Sequence, residues 1–244
     1  MSNFNGRRIL ILGGSRGLGA ALCVWLIEKG ADVLCVGKSK PSYQITTKVN
    51  SLQLDLSKSQ NVRRLIEEAK KYQPDSIIHC LGGGFKRSSD TISKEDFLYL
   101  LNLNFLISLE VNNALLPNML KNNKGWIIHL GSVATLELTA SMGYTCVKSL
   151  IKPYVRHMGK KYISKGVYFS GVNLGAMTGY GGAMDRLSED HKDLFENFLE
   201  NRRPTRRSTP VEELFPYFNL LLSESAKVHA SNMISINEAE GFSI

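Results

Sequence analysis

The sequence predicts an α/β fold, a doubly wound parallel sheet of about seven strands with helices on both faces. Three observations carry that prediction. Short β-branched or apolar runs alternate with longer segments of helical period along most of the chain. The first of these runs opens directly into a glycine-rich turn. No internal repeat, low-complexity tract or long linker interrupts the alternation, and 244 residues with 43% hydrophobic content suit one large domain over 1–244 better than two small ones.

In chain order, "RILIL" (8–12), "DVLCV" (32–36), "SLQL" (51–54), "SIIHC" (76–80), "WIIHL" (126–130) and "VYFSGV" (167–172) read as strands, and "NMISI" supplies a final one. Segments 16–29, 58–72, 95–122 and 144–163 carry helical periodicity, and 209–224 is expected to form a last helix. Gly30 is placed to stop the first helix. Right-handed crossovers between parallel strands then put helices on both faces. Segment 175–208, glycine-rich at its start and charged at its end, fits neither pattern and is expected to form a substrate lid with short helices of its own.

A membrane span needs about eighteen apolar residues in a row, and no run here approaches that. The first apolar run ends at Gly13 and Gly14 and does not resemble a secretory leader, so a cytoplasmic protein with no membrane partner is expected. Cys23, Cys35, Cys80 and Cys146 lie in apolar segments without metal-ligand spacing; reduced packing thiols and no metal are expected. The net charge is +8, densest at Arg202, Arg203, Arg206 and Arg207 in "NRRPTRRS". Without interleaved aromatics or a nucleic-acid motif, this cluster reads as a solvated basic loop, with capture of a phosphorylated or acidic substrate as the alternative.

In open parallel sheets, ligands bind beyond the carboxyl ends of the strands. "GGSRGLG" (13–19) follows the first strand there, with Gly13, Gly17 and Gly19 allowing close approach of a phosphate and Ser15, Arg16 and Leu18 between them. The second strand ends in Gly37 and Lys38 rather than the carboxylate that would accept from a ribose 2′-OH. Lys38 with Arg16 suits the 2′-phosphate of NADP, so NADP(H) is expected in preference to NAD(H). Asp55, followed by Leu56, is placed either to accept from the adenine amino group or to cap the next helix. Gly82 and Gly83 after the fourth strand permit approach to the middle of the cofactor, while His79 reads as a buried, hydrogen-bonded strand residue. The fifth strand delivers Ser132, and the next helical segment carries Tyr144 and Lys148, four apart and on one face.

Together these residues resemble the short-chain dehydrogenase/reductase family, nearly end to end. The family's T-G-x-x-x-G-x-G motif matches 12–19 with Leu12 in place of Thr, and its N-S-Y-K tetrad matches Asn104, Ser132, Tyr144 and Lys148. Asn104 is placed by the downstream "ALLPNM". "NLGAMT" is similar to the P-G-x-x-x-T segment, adding Gly175, Met177 and Thr178 to the expected cofactor contacts, and "TPVEELFPYFNLLLSESA" is similar to the family's Pro-Glu-Glu helix. Two departures stand out: His79, Cys80, Leu81 and Gly82 replace N-N-A-G, and Leu174 replaces Pro before Gly175, with Thr178 one residue early.

The resemblance implies a Rossmann-like NAD(P)-binding domain that interconverts a ketone and a secondary alcohol. Ser132 would orient the carbonyl, Tyr144 would exchange the proton, and Asn104 would hold a water passing it onward from Lys148. A Tyr titrates near pH 10, and an ammonium about 4 Å away at an effective dielectric near 20 would supply about 4 kcal/mol toward its ionisation. The implied partner is a small carbonyl or alcohol, phosphorylated or carrier-bound forms included, with no nucleic acid and with homodimer or homotetramer assembly. Two other readings are open: a catalytically inactive NADP(H)-binding sensor or scaffold of the same fold, and an extended-type enzyme acting on nucleotide sugars, which the short length and glycine spacing disfavour. The substrate would be chosen by 134–142 and by the lid, with Met177, Tyr180, Met184, Leu187, Phe195 and Phe198.

Overall fold

The computed structural model describes residues 3–41, 50–85, 87, 89 and 91–241. Seven strands form one parallel sheet: β1 (Arg8–Leu12), β2 (Asp32–Gly37), β3 (Asn50–Gln53), β4 (Ser76–His79), β5 (Gly125–Ser132), β6 (Val167–Leu174) and β9 (Met233–Ile236). Their order is β3-β2-β1-β4-β5-β6-β9, so the winding reverses between β1 and β4. The crevice beyond that reversal is where a doubly wound sheet has room for a ligand.

Alternation along each strand feeds two cores. Ile9, Ile11, Ile78 and Ile128 pack on one face with α1 (Gly17–Glu28) and with Val211, Leu214 and Phe218. Leu10, Leu12, Ile77, Ile127 and Phe169 pack on the other with α2 (Ser59–Tyr72), α4 (Ile107–Lys121) and α7 (Ile151–Tyr162). Both faces of a parallel sheet are covered, which is why its strands read as continuous apolar runs.

Three expected helices are divided. Segment 95–122 is α3 (Lys94–Leu101), a π-helical turn over Asn102–Leu106, and then α4. The turn contains Asn104, whose side-chain amide donates to the Leu100 carbonyl at 2.9 Å and thereby enters the helical ladder. Segment 144–163 is α6 (Met142–Ser149) followed by α7. The expected last helix is shorter: Thr209–Pro210 forms β8, Val211–Leu214 a 3-10 turn, and only Phe215–Leu221, α10, is α-helical. The segment beyond β6 holds a two-residue strand, β7 (Met177–Thr178), and α8 (Ala183–Asp190) and α9 (Lys192–Arg202), with β7 paired to β8. Between β5 and α6 lies the short α5 (Ala134–Glu137). Among the described residues no helix is long and apolar enough to cross a membrane.

Cys23 and Cys35 are buried as expected, whereas Cys146 is exposed on α6 with its sulfur 3.7 Å from Met142 Sδ, which corrects its reading as a packing thiol. Phe169, fully buried at the centre of the second core, tests the packing. Phe169→Ala should lower the unfolding free energy by about 3–5 kcal/mol, seen in urea titration as a lower midpoint with an unchanged slope.

Candidate active site

Two adjoining cavities, of about 720 Å³ and about 380 Å³, meet at Arg16, Gly17, Cys80, Gly82, Gly182 and Ala183. The glycine turn after β1 forms their common floor. Gly13 sits at φ +85°, and a Cβ there would lie 2.8 Å from the Cys80 backbone, so the turn can press against the β4 loop only without a side chain. Gly17 N–H donates to Tyr180 O at 2.8 Å, docking the segment after β7 on the same turn.

The larger cavity is lined by Gly13, Ser15, Arg16, Lys38, Asp55, Leu56 and Gly82, all anticipated from the sequence, together with Lys40, Gln53, Tyr99 and Arg186, which were not. Lys38 Nζ lies 2.9 Å from Asp55 Oδ2. Asp55 neither caps α2, whose preceding residue is Lys58, nor presents a free carboxylate. Its Oδ1 accepts from the Ser57 hydroxyl and N–H at 2.7 and 3.1 Å, and these bonds, then Lys38, hold its pKa at about 2. The turn after β3 thus uses the carboxylate before the helix begins.

The smaller cavity holds Leu18, Gly19, Gly83, Ser132, Tyr144, Lys148, Gly175 and Met177 of the expected set. Met184 and Phe198 from α8 and α9 line it too. Thr178 lines neither cavity; it is half-buried and pairs with Pro210 between β7 and β8. Its early position puts it in the two-stranded pairing.

Ser132 arrives at the carboxyl end of β5, opposite Leu174 of β6. Its Oγ accepts from Ala134 N–H at 3.2 Å, an ST-turn that starts α5. Tyr144 lies near the start of α6, half-buried, with Lys148 one turn later. Burial raises the Tyr144 phenol above its ordinary pKa, and a hydrogen bond with Ser132 pulls it back in part.

Lys148 is buried, and Nζ donates to the Leu130 carbonyl at 2.9 Å. Burial lowers its pKa to about 8. Nζ lies 5.8 Å from the Tyr144 ring centre. The ammonium thus lies near the Tyr144 ring while one of its hydrogens goes to the Leu130 carbonyl.

Asn104 stands behind both cavities and lines neither. Its Oδ1 accepts from Gly83 N–H at 3.0 Å and its Nδ2 donates to Gly83 O at 3.1 Å, so one amide clamps the backbone of the β4 loop on both sides. Gly82, at φ +154°, fits against it: a Cβ there would lie 2.7 Å from Asn104 Oδ1 and 2.9 Å from Lys148 Nζ. His79 is buried as expected; its Nε2 pairs with Asn112 Oδ1 at 2.8 Å, and its Nδ1 has no hydrogen-bond partner among the described residues. Burial lowers its pKa to about 4.

Residues 204–207 of the basic cluster are exposed as expected of a solvated loop, but Arg203 is not. Arg203 is fully buried against Glu238 and Glu240, and Arg207 pairs with Glu213 and Glu238. Glu240 lines the smaller cavity. The sequence signal for this was the acid pair in "NEAEG", far along the chain from the arginines it neutralises. Among the described residues no group of three or more His, Cys, Asp or Glu side chains is arranged to hold a metal.

These features fit a dinucleotide: a cradle that tolerates no Cβ, cations at one end, and a hydroxyl, a phenol and an ammonium at the other. Comparison with known proteins agrees. A family model described as short chain dehydrogenase matches residues 7–189. A ketoacyl reductase of a Nostoc strain is 24% identical over 196 residues, covering 76% of this chain and 68% of that protein. Among solved structures, a 3-oxoacyl (acyl-carrier-protein) reductase of Agrobacterium tumefaciens with NADP bound superposes with a TM-score of 0.85 at 19% identity, covering 98% of this chain and 95% of that one. A short chain dehydrogenase of Leptospira borgpetersenii with bound NAD+ gives 0.84 at 16% identity, covering 97% and 93%. At these identities the two structures speak for the fold alone. The extent of the family match establishes that the chain belongs to the short chain dehydrogenase family, oxidoreductases that use nicotinamide cofactors.

Proposed function

We propose that the protein is an NADPH-dependent oxidoreductase interconverting a ketone and a secondary alcohol, with Tyr144 as the acid and base. The observation that carries this is the convergence of Ser132 from β5 and Tyr144 and Lys148 from α6 on one cavity. When bound, the nicotinamide supplies the hydride. The Ser132 hydroxyl donates to the substrate carbonyl oxygen and fixes its direction. Tyr144 gives its proton to that oxygen as alkoxide charge develops, and in the reverse direction its phenolate removes the alcohol proton. Lys148 supplies positive charge beneath the phenol, and Asn104 holds the β4 loop and, in this reading, a water that receives the proton from Lys148.

NADPH is preferred in this reading because Arg16, Lys38, Lys40 and Arg186 line one cavity whose acidic lining residue, Asp55, is already paired with Lys38. Phosphate contacts fall to Arg16 and Lys38, with Ser15, Gly17, Leu18 and Gly19 at the turn and Gly82, Gly83, Gly175 and Met177 toward the nicotinamide. The chain acts as one dinucleotide-binding unit, with 175–208 as a lid over a small carbonyl or alcohol substrate. Met177, Met184 and Phe198 favour an apolar body on that substrate. A cytoplasmic homodimer or homotetramer completes the proposal. A non-catalytic sensor of the same fold would bind dinucleotide equally well, and the first measurement below separates the two.

Tyr144→Phe keeps the ring and removes the proton. It should lower kcat for ketone reduction by about 10²–10⁴-fold while NADPH binding, followed by fluorescence, is retained; unchanged turnover eliminates the mechanism. Lys38→Glu should shift the ratio of kcat/KM for NADPH over NADH toward NADH by about tenfold or more, the scale of one charge-assisted contact, and an unchanged ratio means the 2′-phosphate lies elsewhere. In the free chain the Lys148 ammonium should lose its proton as pH rises through about 8. A lysine-selective NMR titration should find that transition and lose it in Lys148→Met.

A further inference from the structure

We propose that Arg203 and Glu240 are positioning residues, a buried ion pair that fixes the Gly175–Met177 backbone against the reacting end of the cavity. The inference rests on the reading of that cavity given above. Arg203 is fully enclosed, with its side chain 0% exposed. Its Nε donates to Arg207 O at 2.9 Å, Nη1 to Asn237 O at 2.6 Å and Glu240 Oε2 at 3.1 Å, and Nη2 to Thr209 Oγ1 at 2.8 Å. One planar group thus joins the end of α9, the strand β8 and the segment after β9.

The pair reaches the site through Glu240. Its Oε2 also accepts from Ala176 N–H. The Ala176 carbonyl accepts from Thr209 N–H at 3.1 Å, and Gly175 N–H donates to Ile236 O at 3.1 Å. The backbone at 175 lies so close that a Cβ would sit 2.6 Å from Glu240 Oε2 and 2.9 Å from Arg203 Nη1. Gly175, Ala176, Met177 and Glu240 line the cavity that holds Ser132, Tyr144 and Lys148.

Two charges taken out of water are costly, and an apolar pair of the same size often stabilises a fold as well or better. What an apolar pair cannot do is direct a backbone N–H and three carbonyl or hydroxyl acceptors at once, which a guanidinium and a carboxylate do by geometry. Gly175–Ala176 lies between β6 and β7 and has no ladder of its own. Leu174 precedes it without the fixed φ of a proline. Burial pushes the Glu240 carboxyl above its ordinary pKa, and Ala176 N–H and Arg203 pull it back, as expected of a carboxylate held in place by its partners.

The test compares Glu240→Gln, Arg203→Lys and the double variant Arg203→Met/Glu240→Met with the parent. Three readouts are taken: hydrogen exchange at 175–178 without ligand, the affinity for NADPH relative to 2′,5′-ADP, and kcat against KM. The positioning role predicts that Glu240→Gln speeds exchange at Ala176 at least tenfold and weakens NADPH at least fivefold with 2′,5′-ADP unchanged. It also predicts a kcat loss of at least tenfold, with Arg203→Lys intermediate. The double variant, which leaves no buried charge unpaired, should recover thermal stability yet stay impaired in all three readouts. Parent-like exchange and affinity in Glu240→Gln, or recovery of all three readouts by the double variant, overturns the proposal. A parent that reduces no ketone defeats the catalytic reading instead, and the pair is then judged by exchange and by the affinity ratio.

Discussion

The site is organised around a buried ammonium. Lys148 lies inside the protein with Nζ on the Leu130 carbonyl, and a charge in that position is tolerable only where dipoles and hydrogen bonds replace water. Pairing of β5 with β4 ends at His129, one residue before that carbonyl, while pairing with β6 runs on to Ser132. The overhang of β5 past β4 therefore seats the lysine and delivers the hydroxyl. Tyr144 follows from helix geometry, since a residue four before Lys148 shares its face. Gly82 completes the arrangement by leaving the space in which the Asn104 amide and the lysine ammonium stand side by side.

Two loops that depart from the family's sequence pattern are held by side chains from elsewhere in the chain. The β4 loop lacks the family's asparagine, and Asn104 binds the backbone of Gly83 at both its N–H and its carbonyl. The β6 loop lacks the proline, and Glu240 takes the N–H of Ala176 under the hold of Arg203. Each device costs a polar burial and yields a fixed backbone at the cavity wall. The π-helical turn has the same origin, because Asn104 can reach Gly83 only from a helix whose ladder it has entered.

The sheet was legible because its central strands are buried on both faces and read as apolar runs, and its switch point was legible because glycines mark both turns beside it. The assignment of the tetrad residues rests on their order along the chain. What escaped was tertiary in origin. "NRRPTRRS" has the composition of a solvated loop, and the burial of Arg203 within it depends on Glu238 and Glu240, which sequence spacing does not connect to it. The division of 95–122 likewise follows from one amide binding a loop that precedes the helix. Lys38 and Asp55 read from the sequence as separate ligands, whereas the fold pairs them at 2.9 Å. Helical spacing fixes which face Tyr144 and Lys148 share, whereas only the fold shows that the long lysine chain ends on the Leu130 carbonyl.

The central claim is that Ser132 and Tyr144 act together on one oxygen beside the nicotinamide. A crystal structure of the chain with NADP+ and a ketone bound tests it most directly. The account predicts the ketone oxygen within hydrogen-bond reach of both Ser132 Oγ and Tyr144 Oη, with the carbonyl carbon over the nicotinamide ring. A ketone seated in the cavity with its oxygen on other donors, and the phenol turned away from the ring, would contradict it.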